Sequence, residues 1–512
     1  MLMIIDRTSE WKKGLVERLE DREPWGNWTL YKMSYEVAQS NLITDFHGLQ
    51  CPKYLPDLKP LPHQLEAAET VIERMNGKAI LADEVGLGKT IEAGLILKEY
   101  LIRGLVKKAL ILVPSSLVNQ WVDEMNRKFH IPAIPYRKNY DLNHCQIVVM
   151  SMDMAKRSPH KENIYAQNFD LIIIDEAHKL KNHKTKNYEF VQHLKKKFCL
   201  LLTATPIQNN VQELFYLITL LKPGHLGNYE TFQSLFSSGE YHVDQEEFLR
   251  ELVNQVMVRN RRQDTGIEWT NRHVQILPID FTPEEKEVYD LISELKQVSP
   301  DFSDAFSTMT LQREMCSSKE AVYVTLEKMR EKSIKPEDVA YMDRIIEKMS
   351  ALDINSKAEK AYEIITQANN KVILFTEYRA SQIYLQWYLH KKGITSVLFN
   401  GKFSKSKRDW MKQLFKDRAQ VLIATESGSE GINLQFCHHV INYDLPWNPM
   451  KLEQRIGRVH RLGQTQDVHI YNLAIQDTIE DHILDLLYKK IGVFEQVVGE
   501  LDDILSAYKE TI

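Results

Sequence analysis

With 512 residues, 43% hydrophobic and 26% charged, the chain has the composition of a globular protein and the length for two to four domains with sizeable cores. A net charge of −5 at pH 7 excludes a surface that binds nucleic acid everywhere and confines any such contact to a local groove. Five scattered cysteines without a CxxC pair argue against structural zinc and for a reducing compartment; with no secretory leader and no apolar run of spanning length, the cytoplasm (or a bacterial nucleoid) is the expected location and no membrane partner is expected.

Residues 1–59 are punctuated by Pro24, Gly26, Pro52 and Pro56 and carry Trp11, Trp25 and Trp28; they read as a small accessory segment packed on the domain after it. From 60 to 225, short apolar runs (79–82, 109–113, 147–150, 171–174 and 200–202) alternate with helical patterns such as 117–128 and 211–221. That alternation predicts βαβ units in a mostly parallel sheet, with ligands at the carboxyl ends of the strands.

The first run leads into Asp83-Glu84-Val85-Gly86-Leu87-Gly88-Lys89-Thr90, and apolar residues at helical spacing come next. Strand, glycine loop, Lys-Thr and helix is the order a phosphate-binding loop needs. The glycines let backbone N–H groups wrap phosphates, and the helix N-terminus adds partial positive charge. Lys89 can reach the β- and γ-phosphates and the Thr90 hydroxyl can ligate Mg²⁺. Asp83 stands where that motif has its first glycine. Further on, four aliphatics (171–174) end in Asp175-Glu176-Ala177-His178, so a buried strand presents two carboxylates at its tip. Asp175 can hold Mg²⁺ through water, and Glu176 can orient and deprotonate an attacking water. A third buried run ends in Thr203-Ala204-Thr205, whose hydroxyls can bond the carboxylates or a γ-phosphate and report its presence.

From 226 to 355 the strand runs nearly vanish, and charged helical patterns (245–258, 283–298, 319–332 and 336–349) predict a helical insertion or linker. From 356 to 490 the alternation returns (372–375, 395–399, 421–423, 439–443 and 468–472), predicting a second α/β domain without a Lys-Thr glycine loop of its own. Residues 491–512 form a tail that leans acidic. One phosphate loop and two α/β domains suggest a nucleotide held between them. Gln454-Arg455-Ile456-Gly457-Arg458-Val459-His460-Arg461 brings three arginines together, with Arg458 and Arg461 on one helical face. Such cations suit the charge of a transferring phosphoryl group, and an arginine finger is worth roughly 10³–10⁵ in rate. Residues 402–418 are the strongest basic run, either a solvated helix face or a phosphate contact; Cys437-His438-His439 sits on one strand, where adjacent side chains point to opposite faces.

Taken in order, 83–90, 175–178, 203–206, Glu430-Gly431-Ile432-Asn433-Leu434-Gln435, Trp447-Asn448-Pro449 and 454–464 resemble the motifs of superfamily-two helicase-like ATPases, over about residues 60 to 490. The wording of the last motifs is similar to the SWI/SNF-type branch and, within it, to the bacterial RapA/HepA-like group, which carries Asp at the position of Asp83. The resemblance implies two tandem RecA-like lobes with parallel sheets, a helical insertion between them, ATP and Mg²⁺ in the cleft, and double-stranded DNA across both lobes. It implies that Gln64 reads adenine, that 83–90 binds phosphates with Thr90 and Asp175 on the metal, and that Glu430 and Gly431 lie near the ribose. Thr203, Thr205 and Gln454 would couple ATP state to lobe movement, Arg458 and Arg461 would be the fingers, and Val113-Pro114-Ser115-Ser116 would touch a DNA backbone. RapA-like proteins carry further folded domains that engage RNA polymerase; flanks as short as these do not carry that partner over. The expected activity is DNA-stimulated ATP hydrolysis that drives translocation along duplex DNA and remodels protein–DNA complexes. A strand-separating helicase and an ATP-gated scaffold in a transcription or defence complex are the alternatives.

Overall fold

The computed structural model describes residues 28–41 and 48–498, apart from 139, 208–210, 237–242, 299–304, 333–334, 402, 404 and 430–432. Two units separate, residues 1–48 and 49–512. In the first, Trp28–Asn41 is helical, with Trp28, Leu30, Tyr31 and Met33 exposed. The second begins ahead of residue 60: Cys51 and Leu55 are buried, and Gln50 and Cys51 donate their backbone N–H groups to the Glu99 carboxylate at 2.9 and 2.7 Å.

Within residues 49–512 two all-parallel sheets form. The first contains β1 (Lys78–Leu81), β2 (Ala109–Val113), β3 (Ala133–Pro135), β4 (Ile147–Ser151), β5 (Phe169–Asp175), β6 (Lys196–Leu202) and β7 (Met257–Val258), in the order β3-β4-β2-β5-β6-β1-β7. The second contains β8 (Arg272–Ile279), β9 (Val372–Thr376), β10 (Ser396–Phe399), β11 (Val421–Thr425), β12 (His439–Asn442) and β13 (Val468–Ile475), in the order β10-β11-β9-β12-β13-β8. Both are covered on two faces, which explains the unbroken apolar runs. In β9, Val372 and Leu374 enter one core while Ile373 and Phe375 enter another; β11 divides the same way, Val421 and Ile423 against Leu422 and Ala424. The ten expected strands are all present, and two tandem α/β lobes are the fold.

The stretch 226–355 departs from its helical expectation. β7 pairs with β1 and β8 pairs with β13 along its full length, so this stretch closes the edge of each sheet. β7 is only two residues long, and β8 breaks its aliphatic residues with Arg272, His273, Gln275 and Pro278, so neither shows a long unbroken apolar run. The 245–258 pattern is a helix only over Val243–Asn254 before the chain turns into β7. The helices Pro283–Val298, Lys319–Lys332 and Pro336–Ser350 do form, and with Ala305–Ser317 they pack onto lobe 2 through Val288, Leu311, Val322 and Met342. No helix among the described residues is long and apolar enough to cross a membrane. What matters for the site is the crossover of residues 259–271, the direct covalent path from the last strand of one sheet to the edge strand of the other.

Candidate active site

The loop between β1 and the helix Lys89–Ile102 bends through Gly86 (φ +100°) and Gly88 (φ +101°), a region that residues with a Cβ enter only with strain. A Cβ on Gly88 would also lie 2.5 Å from Gln64 Nε2. That closeness is functional packing: Gln64 Nε2 donates to Leu87 O at 2.8 Å, its Oε1 accepts from Leu61 N at 3.0 Å, and His63 Nε2 lies 3.1 Å from the same Leu87 carbonyl. The Gln64 amide therefore braces the loop at Leu87 through its nitrogen, while its oxygen caps the start of its own helix at Leu61. Asp83 is fully buried, and its carboxylate accepts from Asn260 N and Nδ2 at 2.8 to 3.1 Å. Glu84 Oε2 accepts from Arg262 N at 3.0 Å and Nη1 at 3.4 Å. The acid that replaces a glycine is thus a strut to the segment after β7, while Val85, Gly86, Gly88, Lys89 and Thr90 face the cleft. Lys89 Nζ donates to Asp83 O at 2.5 Å and Glu84 O at 3.2 Å, and burial lowers its pKa against the pull of nearby carboxylates.

Across the same cleft stand the tips of β5 and β6, held together by Asp175 pairing with Leu202. Asp175 Oδ2 accepts from the buried Trp121 Nε1 at 2.9 Å and its Oδ1 accepts from Glu176 N at 2.9 Å. Burial and the neighbouring Glu176 charge push Asp175 up. Glu176 adopts φ +53°, turning the chain at the strand end, and its Oε2 lies 3.1 Å from His178 Nδ1. Burial would raise the Glu176 carboxyl, but His178, Arg458 and Lys89 outweigh it and hold it low. The environments push the pair in opposite directions, Asp175 up and Glu176 down, so Glu176 stays ionised and able to accept a proton. Thr203 lines the cleft, and its Oγ1 accepts from Thr205 N at 3.0 Å, with Thr205 itself fully buried behind.

From lobe 2, Gln454, Arg458 and Arg461 line this cleft too. They belong to or come just after the helix Pro449–Ile456, started by Asn448, whose side chain accepts from Met450 N, and by Pro449 at its first turn. Arg455, the third arginine of the run, turns inward: it is 2% exposed and donates to Asn442 Oδ1 at 3.2 Å and Asp444 O at 2.8 Å, so it braces lobe 2. Glu430 and Gly431 lie outside the described residues. Burial and the Arg458 charge lower Arg461 to about 10. Two like-charged guanidiniums in a partly buried cleft opposite Lys89 are a costly arrangement that a bound polyanion relieves, which is the fit a nucleoside triphosphate requires. Thr90 and Asp175, a hydroxyl and a carboxylate, are the hard oxygen donors that Mg²⁺ takes.

Several of these supports are invisible in the sequence. Glu453 accepts both Arg272 Nη1 (2.7 Å) and Nη2 (2.9 Å), and both terminal nitrogens of Arg262 at 3.3 Å. The two arginines outweigh burial and hold Glu453 at about 2. Arg272 Nε donates to His460 Nδ1 at 2.8 Å, and His460 Nε2 lies 2.9 Å from Thr270 O. Only the tautomer with its proton on Nε2 satisfies both bonds, so His460 is neutral.

Residues 63–333 match the family model of the SNF2-related domain, and 356–463 that of the helicase conserved C-terminal domain. The chain is 59% identical over 507 residues to an uncharacterized ATP-dependent helicase, YqhH, of Bacillus subtilis (strain 168), covering 98% of this chain and 91% of that protein. It is 29% identical over 464 residues to the RNA polymerase-associated protein RapA of Haemophilus influenzae (strain PittEE), covering 85% of this chain but 47% of RapA; the chain spans about half the length of such relatives. Among solved structures, the Sulfolobus solfataricus SWI2/SNF2 ATPase core in complex with dsDNA is similar over 89% of this chain and 95% of its own, with 23% identity and a TM-score of 0.44.

The His460 geometry has a consequence for stability. Burial, then the Arg272 and Arg262 charges, depress its pKa from the ordinary 6.5 to about 4. A depressed histidine binds its proton more readily in the unfolded chain, so its contribution is complete above about pH 6.5 and falls away as pH drops toward 4. In urea unfolding between those pH values, His460→Gln should show a shallower loss of stability than the wild type. Identical slopes would mean that His460 is not held neutral.

Proposed function

This chain belongs to the SNF2-related family of superfamily-two helicase-like ATPases, and from that premise we propose that it is an ATP-driven translocase on double-stranded DNA that remodels or displaces bound proteins. The observation that carries the reading is the convergence of Lys89, Thr90, Asp175 and Glu176 from lobe 1 with Gln454, Arg458 and Arg461 from lobe 2 on one cleft. Lys89 neutralises phosphate charge where the loop N–H groups wrap it. Thr90 and Asp175 would hold Mg²⁺, which when bound would offset the charge developing on the phosphate oxygens. Glu176, kept ionised by its cationic neighbours, orients the attacking water and takes its proton. Arg458 and Arg461 stabilise the transferring group from the opposite lobe, so turnover waits on closure of the cleft. Thr203, Thr205 and Gln454 pass the nucleotide state to the lobes. An adenine contact by Gln64 requires its amide to give up Leu87 or Leu61.

Duplex DNA across both lobes would favour closure and raise turnover. Backbone contact is proposed at Val113–Ser116, after β2, and on the helix Lys405–Asp417, where Lys407, Lys416 and the adjoining Arg418 are exposed beside Trp410. Contacts to phosphates carry no sequence information, so stimulation should be sequence-independent and weaken with salt. RNA polymerase on DNA is one complex such a motor would act on, as the name of the RapA relatives suggests.

Lys89→Ala should lose ATP binding, whereas Glu176→Gln should keep it and lose hydrolysis, because only Lys89 acts on the ground state. Equal ATP affinity in Lys89→Ala and wild type, by titration calorimetry, would remove the phosphate-loop role.

A paired assay separates the translocase from a strand-separating helicase. Under the same ATP conditions, the protein should displace the third strand of a triplex and leave a forked duplex paired. Robust fork unwinding without triplex displacement would make it a helicase.

A further inference from the structure

We propose that Arg262 is a positioning residue that ties the nucleotide loop of lobe 1 to the arginine-bearing turn of lobe 2 and so sets the closed register of the cleft; the inference rests on reading that cleft as an ATPase site completed by lobe 2. Arg262 lies in the crossover, where the chain leaves β7 and has not yet entered β8. Its side chain is 2% exposed. On the lobe 1 side, its backbone N donates to Glu84 Oε2 at 3.0 Å, Nη1 approaches the same oxygen at 3.4 Å, and Nη2 donates to Val85 O. On the lobe 2 side, Nη1 and Nη2 both reach Glu453 Oε1 at 3.3 Å. Glu84 and Val85 belong to the phosphate loop, and Glu453 directly precedes Gln454 on the helix that leads to Arg458 and Arg461.

The neighbouring contacts each serve one side. Asn260 fastens Asp83 to the crossover, and Arg272 fastens Glu453 and His460 to β8. Arg262 serves both with one rigid fork, and its guanidinium lies over the Trp269 ring, 5.4 Å from its centroid. Two arginines and two glutamates (Arg262, Arg272, Glu84 and Glu453) form a buried, charge-balanced set. Separating the lobes pulls Glu84 from Glu453 and strands at least one carboxylate without its partner, a state that burial makes expensive. The same fork holds Val85 against Gly457 and Gly86 against Arg461, which fixes how far the finger arginines reach into the cleft. A lysine has the charge but not the planar fork, so it cannot hold three acceptors on two lobes at once.

The experiment compares wild type, Arg262→Ala, Arg262→Lys and Arg262→Ala/Glu84→Gln in the full chain. Three readouts are taken: lobe closure on a non-hydrolysable ATP analogue, by fluorescence transfer between labels on the two lobes; DNA-stimulated kcat and KM for ATP; and the melting temperature. Arg262→Ala should reduce stimulated kcat by about 5- to 150-fold, the range of a site–site coupling, with a much smaller change in KM. Closure should fall in parallel, and Arg262→Lys should lie between. The double variant removes the Glu84 charge that Arg262→Ala leaves unbalanced, while Glu453 stays paired with Arg272. A positioning role predicts that it restores melting temperature while closure and kcat stay low, and it carries the test if Arg262→Ala does not fold. A double variant restored in all three readouts, or Arg262→Ala with wild-type closure and kcat, overturns the proposal. Wild type that closes on the analogue but shows no DNA-stimulated turnover would instead remove the translocase reading and leave the clamp to be judged by closure.

Discussion

A Cβ placed on Gly457 would fall 2.3 Å from Val85 Cγ1, and one on Gly86 would fall 3.3 Å from the Arg461 side chain. The turn that carries Arg458 and Arg461 and the tip of the glycine loop are therefore packed to backbone distance, and the proposed cleft chemistry depends on that contact. Because Val85 meets a glycine, Arg458 and Arg461 come close enough to line the pocket with Lys89, Asp175 and Glu176. Because the contact is small and apolar, it leaves the alignment of the lobes to the buried charges around it. A surface ion pair contributes little and is screened; a buried one is costly to break from one side. The set of Glu84, Arg262, Glu453 and Arg272 is of the second kind.

The same principle distributes protons within the site. Asp175 and Glu176 are adjacent and half-buried, and their surroundings differ. Trp121 and the Glu176 backbone N–H bond Asp175, while His178, Arg458 and Lys89 surround Glu176 with positive charge. Arg458 comes from lobe 2, so lobe closure itself helps keep the proposed base ionised. Opening the cleft would withdraw that charge along with the fingers. Hydrolysis and closure are then linked by electrostatics as well as by geometry.

Legibility in the sequence depends on whether a feature leaves a local trace. Seven of the ten expected strands read directly from unbroken apolar runs, while β10, β12 and β13 carry Ser, His or Asn among their apolar residues. The phosphate loop, the Asp175-Glu176 tip and the Arg458–Arg461 spacing are contiguous patterns, and all three line one cleft. β7 and β8 leave no clear trace because one is two residues long and the other breaks its aliphatic residues with Arg272, His273, Gln275 and Pro278. Arg455 looks like its neighbours in the sequence but is a lobe 2 brace, a distinction that depends on Asn442 and Asp444. The adenine role expected of Gln64 contends with an amide already bonded at both ends, to Leu87 of the loop and to Leu61 at the start of its own helix. Trp121, Arg262, Glu453 and His460 act on partners 54 to 191 residues away in sequence, and no spacing rule reaches that far. Asp83 is the instructive case: an apparent defect in a glycine motif is a buried strut to Asn260, and only the fold reveals what it holds.

The central claim is that the lobes must close for ATP to be hydrolysed, and that duplex DNA acts by favouring closure. The most direct measurement records ATP turnover and the distance between labels on the two lobes in the same solution, as duplex DNA is titrated in. Turnover and the closed fraction should rise together with the same half-point. Turnover that rises with DNA while the lobe distance stays fixed would contradict the claim.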